Sequence, residues 1–217
     1  MAFPAKAFNL ELPDMGDGSS AVSFMLCGAS KSGKTTLLKY LLKKFFSKHI
    51  TIMFTMNPQA EIYKEIDNKI IVSEQYHPEL ISEGHIINRE MKNKFKLLYV
   101  SDDYVGLDIK NDKEITRLCT IYRNGNASSV FSFQGRTLMN AVGRANCNYI
   151  VILKQQCPKD WENVIKDFLD MWLPLNMTMR EKIAFCQAAC KNHQFFMIDQ
   201  VKEECYISKL SPSQIVE

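Results

Sequence analysis

The chain has no strong charge of either sign, no paired-cysteine spacing and no long apolar run. Its 27 lysines and arginines stand against 24 aspartates and glutamates, a formal net charge of +3. That balance is too even to point to a nucleic-acid or membrane partner, so any DNA contact has to come from local patches. Seven cysteines, an odd number with no C-x-x-C among them, argue against a disulfide framework and suit a reducing, intracellular compartment. The start, MAFPAKAFNLELPDMGDGSS, lacks the charged head and continuous apolar stretch of a signal peptide. No window reaches the roughly 18 apolar residues that span a bilayer, so a soluble protein with no membrane partner is expected. No repeat or low-complexity segment is present.

What the chain does have is size and apolar content: 217 residues, 46% of them hydrophobic, enough for a core without covalent staples. Residues 1–20, punctuated by Pro, Gly, Asp and Ser, read as an N-terminal arm. Residues 21–217 read as a single domain, with a core over 21–155 and C-terminal helices and a hairpin over 156–217. Within it, short apolar runs alternate with helical patterns. AVSFMLC (21–27) is nearly continuous in apolar character, as a strand buried on both faces should be. Leu37, Leu38, Leu41, Leu42 and Phe45 then recur at helical spacing, with Lys39, Lys43 and Lys44 on the other side. Further strands are predicted at 49–55, 69–73, 95–101, 128–134 and 148–154, and a terminal hairpin at 195–199 and 204–208. Residues 158–192 read as helical with a break near Pro174. Strands separated by helix-length segments imply an α/β fold with a mainly parallel sheet and helices on both faces.

Between the first strand and the first helix stands GASKSGKTT. It satisfies G-x-x-x-x-G-K-[ST], in which each fixed position has a physical job. Glycines let backbone N–H groups curl around a phosphate, and the helix start behind them adds partial positive charge. Gly28, Ala29, Ser30, Lys31, Ser32, Gly33, Lys34, Thr35 and Thr36 are therefore the candidate nucleotide-binding residues. Lys34 would reach the β and γ phosphates of ATP, and Thr35 would offer its hydroxyl to Mg²⁺. Lys31 is an extra cation, read equally well as a solvated loop lysine.

Hydrolysis needs carboxylates at the end of a neighbouring strand, and FKLLYVSDDYVG (95–106) supplies them. Asp102 is the candidate magnesium-side acid, and Asp103 the candidate base that polarises the attacking water. Gln134, closing SSVFSFQ (128–134), could hydrogen-bond that water or the γ-phosphate. An acid beside the magnesium-side aspartate separates hydrolases from small-molecule kinases, which need an acceptor pocket. A nucleoside or nucleotide kinase and a non-catalytic, nucleotide-controlled assembly protein remain the alternatives.

This ordered set resembles the FtsK/HerA superfamily of DNA-translocating ATPases, most closely the genome-packaging ATPases of poxviruses, other large DNA viruses and virophages. The likeness covers roughly 21–155: the phosphate loop, the strand ending in Asp102 and Asp103, RNGNASSVFSFQ (123–134) and GRANCNYIVILK (143–154). Three features depart from the pattern, one being that the C-terminal third matches no part of it. Asp103 stands where many relatives carry Glu, and Ser101 interrupts the apolar run before the acids. The resemblance implies a RecA-like sheet with a strand added between the phosphate-loop strand and the Asp-Asp strand. It also implies a homo-oligomeric ring, pentamer or hexamer, around double-stranded DNA, capsid proteins as partners, and residence in the virion or the host cytoplasm. Arg123 then becomes the candidate catalytic arginine presented to a neighbouring subunit, with Arg136 and Arg144 as alternates. Lys110 and Lys113 could touch DNA, though Asp108 and Asp112 offset them and suggest a solvated loop. Cys186, Cys190, His193 and Cys205 could be drawn as a zinc site, but their spacing fits core packing more simply.

Overall fold

A computed structural model describes residues 3–8, 21–57, 63, 70–103, 112–134 and 139–216. Eight strands form one sheet: β1 (Ser23–Cys27), β2 (Ile50–Thr55), β3 (Ile70–Ser73), β4 (Leu97–Asp102), β5 (Ala127–Phe133), β6 (Tyr149–Ile152), β7 (Phe195–Asp199) and β8 (Glu204–Ser208). Their spatial order is β3-β2-β4-β5-β1-β6-β7-β8. The first six pair in parallel, while β7 and β8 close one edge antiparallel. Each strand predicted from apolar runs is found, and the terminal hairpin is β7 and β8. The added strand is β5, seated between β1 and β4.

Every residue of β1, β4, β5 and β6 is buried, which is why these segments read as unbroken apolar runs rather than as alternation. The sheet therefore has two cores. On one face Phe24, Leu26, Val100, Val130 and Val151 meet α1 (Lys34–Lys44) through Leu37, Leu38, Leu41 and Leu42. Burying each of those leucines contributes about 1.5–3 kcal/mol, so the Leu-rich stripe fixes this helix against the sheet. On the other face Met25, Tyr99, Phe131, Phe133 and Ile150 meet three later segments. Ile81 arrives from α2 (Pro78–Glu90), and Ile115 and Leu118 from α3 (Lys113–Cys119). Past the short helical turn Ala141–Asn146, Trp161 and Val164 arrive from α4 (Pro158–Val164).

The helix α4 runs on through a π turn, Ile165–Leu169, and a 3₁₀ turn, Asp170–Trp172, before the chain breaks ahead of α5 (Met179–Ala189). The break falls where Pro174 predicts it. Thr178 and Glu181 form a reciprocal capping box that starts α5 by satisfying N–H groups at its first turn. The described part of the N-terminal arm lies along β8: Lys6 N–H donates to Ile207 O at 3.0 Å, and Phe8 is buried. A last helix, α6 (Pro212–Val216), returns to α1 through Gln214, whose Nε2 donates to Tyr40 Oη at 3.0 Å. Cys186, Cys190 and Cys205 are buried core residues, and the described residues hold no cluster of three or more His, Cys, Asp or Glu suited to a metal ion.

Candidate nucleotide-binding site

The phosphate loop leaves β1 at the C-terminal end of the sheet, next to β5 and β6. Gly28 N–H donates to Phe133 O at 3.1 Å and Ala29 N–H to Lys154 O at 2.8 Å, which pin the loop's first residues to both neighbouring strands. A Cβ on Gly28 would lie 2.6 Å from Ser32 Oγ and 2.8 Å from Leu153 Cβ, so this position has room only for hydrogen. Gly33 caps α1 with φ of 102°, a left-handed conformation that favours glycine. No side chain caps the helix and its first turn carries no acid, leaving its N–H groups and dipole free for an anion.

Lys34 is 4% exposed and folds back over the loop, its Nζ donating to Gly28 O at 2.9 Å and Ala29 O at 3.0 Å. Asp103 Oδ1 lies 3.7 Å from the same Nζ. The two halves of the sequence motif, 69 residues apart in the chain, thus meet in space. Asp103 has φ of 47°, which an aspartate tolerates better than most residues and which swings its carboxylate out of the strand line toward the lysine. Its N–H donates to Ser132 O at 3.2 Å, holding it beside β5.

Asp102 ends β4 and is buried. Burial pushes its carboxyl above the ordinary carboxylate range, opposed by the Tyr63 hydroxyl, which donates to Oδ2. Oδ1 is buried with no hydrogen-bond partner. An orphaned carboxylate oxygen of this kind, at the end of the strand beside β5, fits the chemistry of a magnesium ion, which takes oxygen ligands. Tyr63 was not signalled in the sequence; it stands in the segment after β2, away from every motif.

Gln134 follows Phe133 directly and is exposed, one residue beyond the carbonyl that takes the Gly28 N–H. Arg123 is elsewhere. It sits in the turn before β5, with Nη1 donating to Asn148 Oδ1 at 2.9 Å, and the same oxygen accepts from Ser23 N–H. Ser23 begins β1, whereas the phosphate loop follows its end, so a strand of five residues, about 17 Å, separates Arg123 from its own loop. Arg144 is held within the chain, donating to Met139 O at 2.5 Å. Arg136 and Lys110 lie outside the described residues. Lys113 is exposed, and Asp112 beside it caps α3, accepting from Glu114 N–H at 2.6 Å.

A cavity of about 660 Å³ opens over the loop, lined by Ser30 to Leu37 and Asp103. His193, which the sequence grouped with the cysteines, also lines it, as do Phe195, Lys209, Leu210 and Ile215, which no motif marked. An adjoining cavity of about 790 Å³ shares Lys31, Ser32, His193 and Lys209 and adds Lys154 and Lys191, with no carboxylate among the described residues of its lining. Lysines therefore gather about the loop although the whole chain is nearly neutral.

The poxvirus A32 protein family matches residues 19–208. The chain belongs to that family. The match runs past residue 155 into the C-terminal segment, further than the likeness legible in the sequence. A comparison with curated proteins finds no match. Among solved structures, the genome packaging NTPase B204 from Sulfolobus turreted icosahedral virus 2, in complex with AMPPCP, superposes with a TM-score of 0.62 at 15% identity, over 88% of this chain and 98% of that one. The pCW3 conjugation coupling protein TcpA with ATPγS gives 0.61 at 13% identity, over 90% and 64%. A cytoplasmic domain of the Thermomonospora curvata type VII secretion ATPase EccC gives 0.59 at 11% identity, over 93% and 27%. The α/β, RecA-like P-loop fold and the likeness to FtsK/HerA-type ATPases are borne out.

Proposed function

We propose that this chain is a viral DNA-packaging ATPase, which hydrolyses ATP to drive double-stranded DNA into a capsid. The observation that carries the reading is the meeting of Lys34 and Asp103 at 3.7 Å across the end of the sheet, in a chain of the poxvirus A32 protein family. The phosphate loop and the start of α1 hold the triphosphate by backbone N–H groups. Lys34, released from Gly28 O and Ala29 O, turns its charge to the β and γ phosphates. Asp103 accepts a proton from the attacking water, and Gln134 orients that water or the γ-phosphate.

Thr35 and Asp102 would hold Mg²⁺, which would offset the charge of the phosphates. Support for that assignment comes from the unpartnered Asp102 Oδ1. Arg123 is a finger in trans, since its place at the opposite end of the strands denies it to its own loop. An arginine supplied that way is worth about 10³–10⁵ in rate in other NTPases. It requires a homo-oligomeric ring, a pentamer or hexamer, with DNA in the channel and capsid proteins at its mount. No helix of the described residues is long and apolar enough to cross a membrane.

The test is phosphate release from ATP, with and without duplex DNA, alongside particle size in solution. A DNA-stimulated hydrolase that assembles in ATP and DNA supports the proposal. A monomer that passes phosphate from ATP to a nucleoside contradicts it.

A further inference from the structure

The cavity over the phosphate loop has two chemically different ends. One is the loop itself, rich in N–H groups, hydroxyls and lysine. The other is walled by Phe195 of β7 and by Leu210, Pro212 and Ile215 of the C-terminal segment. Among the described residues, the lining beyond the loop and Asp103 has no carboxylate, amide or hydroxyl side chain; its polar members there are His193 and Lys209. His193 belongs to the phosphate end, with Nδ1 3.7 Å from where a Gly33 Cβ would stand.

The apolar end is built firmly. Gln214 Nε2 donates to Phe8 O at 2.8 Å as well as to Tyr40 Oη, and its Oε1 accepts from Ser211 N–H at 2.7 Å. These bonds tie α6 to both α1 and the N-terminal arm, so the wall stands in place without a ligand. A cavity of this volume is of the size that takes a whole small-molecule ligand, so one that joins the loop to an apolar wall has room for a triphosphate together with its nucleoside.

We infer that residues 209–215 form the nucleoside-binding wall, and that this wall holds the base by apolar contact without side-chain readout of its edge. The site then accepts nucleoside triphosphates of any base, purines more tightly because they cover more of the wall. The inference rests on the phosphate loop holding a triphosphate. A pocket that hydrogen-bonds its substrate can reject an analogue by about 10⁴–10⁵, whereas one that offers only apolar contact discriminates by about 10–200.

The experiment is equilibrium binding of ATP, GTP, CTP, UTP and inorganic tripolyphosphate, each with Mg²⁺, to the full chain and to its Ile215→Ser and Ile215→Leu variants. Ile215 is 46% exposed, so neither change threatens the core. The four nucleotides should bind within about tenfold of one another and more tightly than tripolyphosphate. Ile215→Ser should weaken all four by about tenfold and leave tripolyphosphate unchanged, and Ile215→Leu should restore them. A preference of more than about 100-fold for one base would overturn the inference, as would a Ser variant that binds nucleotides like the parent. Tripolyphosphate bound as tightly as ATP would overturn it alone, leaving the phosphate loop intact. Failure to bind either would remove the phosphate-loop reading as well.

Discussion

The Tyr63 hydroxyl donates to one oxygen of Asp102 while the other oxygen, equally buried, has no partner. Tyr63 thus holds the carboxylate that the proposed mechanism assigns to the magnesium shell. Because the hydroxyl's bond to Oδ2 stabilises the carboxylate's charge and so weakens its pull on a cation at Oδ1, Tyr63→Phe should lower the Mg²⁺ concentration for half-maximal ATP hydrolysis, by about threefold to tenfold if the bond is worth about 1 kcal/mol net. A magnesium titration of the steady-state rate reads this directly. An unchanged titration would mean that the bond is purely structural.

Asp103 and Lys34 should separate hydrolysis from binding. Asparagine tolerates the left-handed backbone at position 103, so Asp103→Asn keeps the fold and ATP binding while cutting hydrolysis by about 10²–10⁴, the range of a lost general base. Lys34→Ala should instead weaken binding itself. Nucleotide titration followed by single-turnover hydrolysis distinguishes the two, and a fully active Asp103→Asn protein would withdraw the base assignment.

Gly28→Ala should damage both stability and binding. Its new methyl group would press on Ser32 Oγ and on Leu153 Cβ, the latter fixed to backbone, so the loop has to shift. A loss of about 1–3 kcal/mol in denaturant unfolding is expected, together with weaker ATP binding. An alanine variant that unfolds and binds like the parent would show that the loop is looser than its packing implies.

His49 makes stability pH-dependent. Burial, with Lys96 nearby, pushes its pKa down from 6.5 to about 4, and the ring stays neutral in the fold. Between pH 6.5 and 4 the unfolded chain binds the proton that the folded chain refuses, so stability falls as pH falls through that window and is fully present above it. The total for a shift of this size is about 3 kcal/mol. His49→Gln should flatten the corresponding slope in unfolding free energy between pH 4 and 6.5; an unchanged slope would locate the effect elsewhere.

Arg123 is tested by mixing. Neither Arg123→Ala nor Asp103→Asn protein should hydrolyse ATP alone, but a mixed ring contains interfaces with one intact aspartate facing one intact arginine. Partial recovery of ATPase activity on mixing is the expected result. No recovery would place the arginine's role within its own subunit.

The strands and the loop were legible because their signals are local. Apolar runs such as 95–101 mark strands buried on both faces, and the spacing of Gly28, Gly33 and Lys34 states its own chemistry. The meeting of Lys34 with Asp103 also followed, since strand ends in a parallel sheet gather on one edge. What stayed hidden depends on tertiary placement. His193 looked like a companion of Cys186 and Cys190, yet it lines the cavity beside Gly33 while the cysteines pack in the core. Ile215 and Leu210 carry no pattern at all; they reach the site only because β7 and β8 add to the sheet beside β6. Arg123 was marked as a finger, but its distance from its own loop became visible only with the strand directions.

The most direct measurement is phosphate release in a single turnover, with ATP saturating and duplex DNA present. The account predicts release that DNA accelerates, and release slower by about 10²–10⁴ from the Asp103→Asn protein at the same nucleotide occupancy. Saturated nucleotide that stays intact in the parent protein, at every protein concentration and with DNA present, would contradict it.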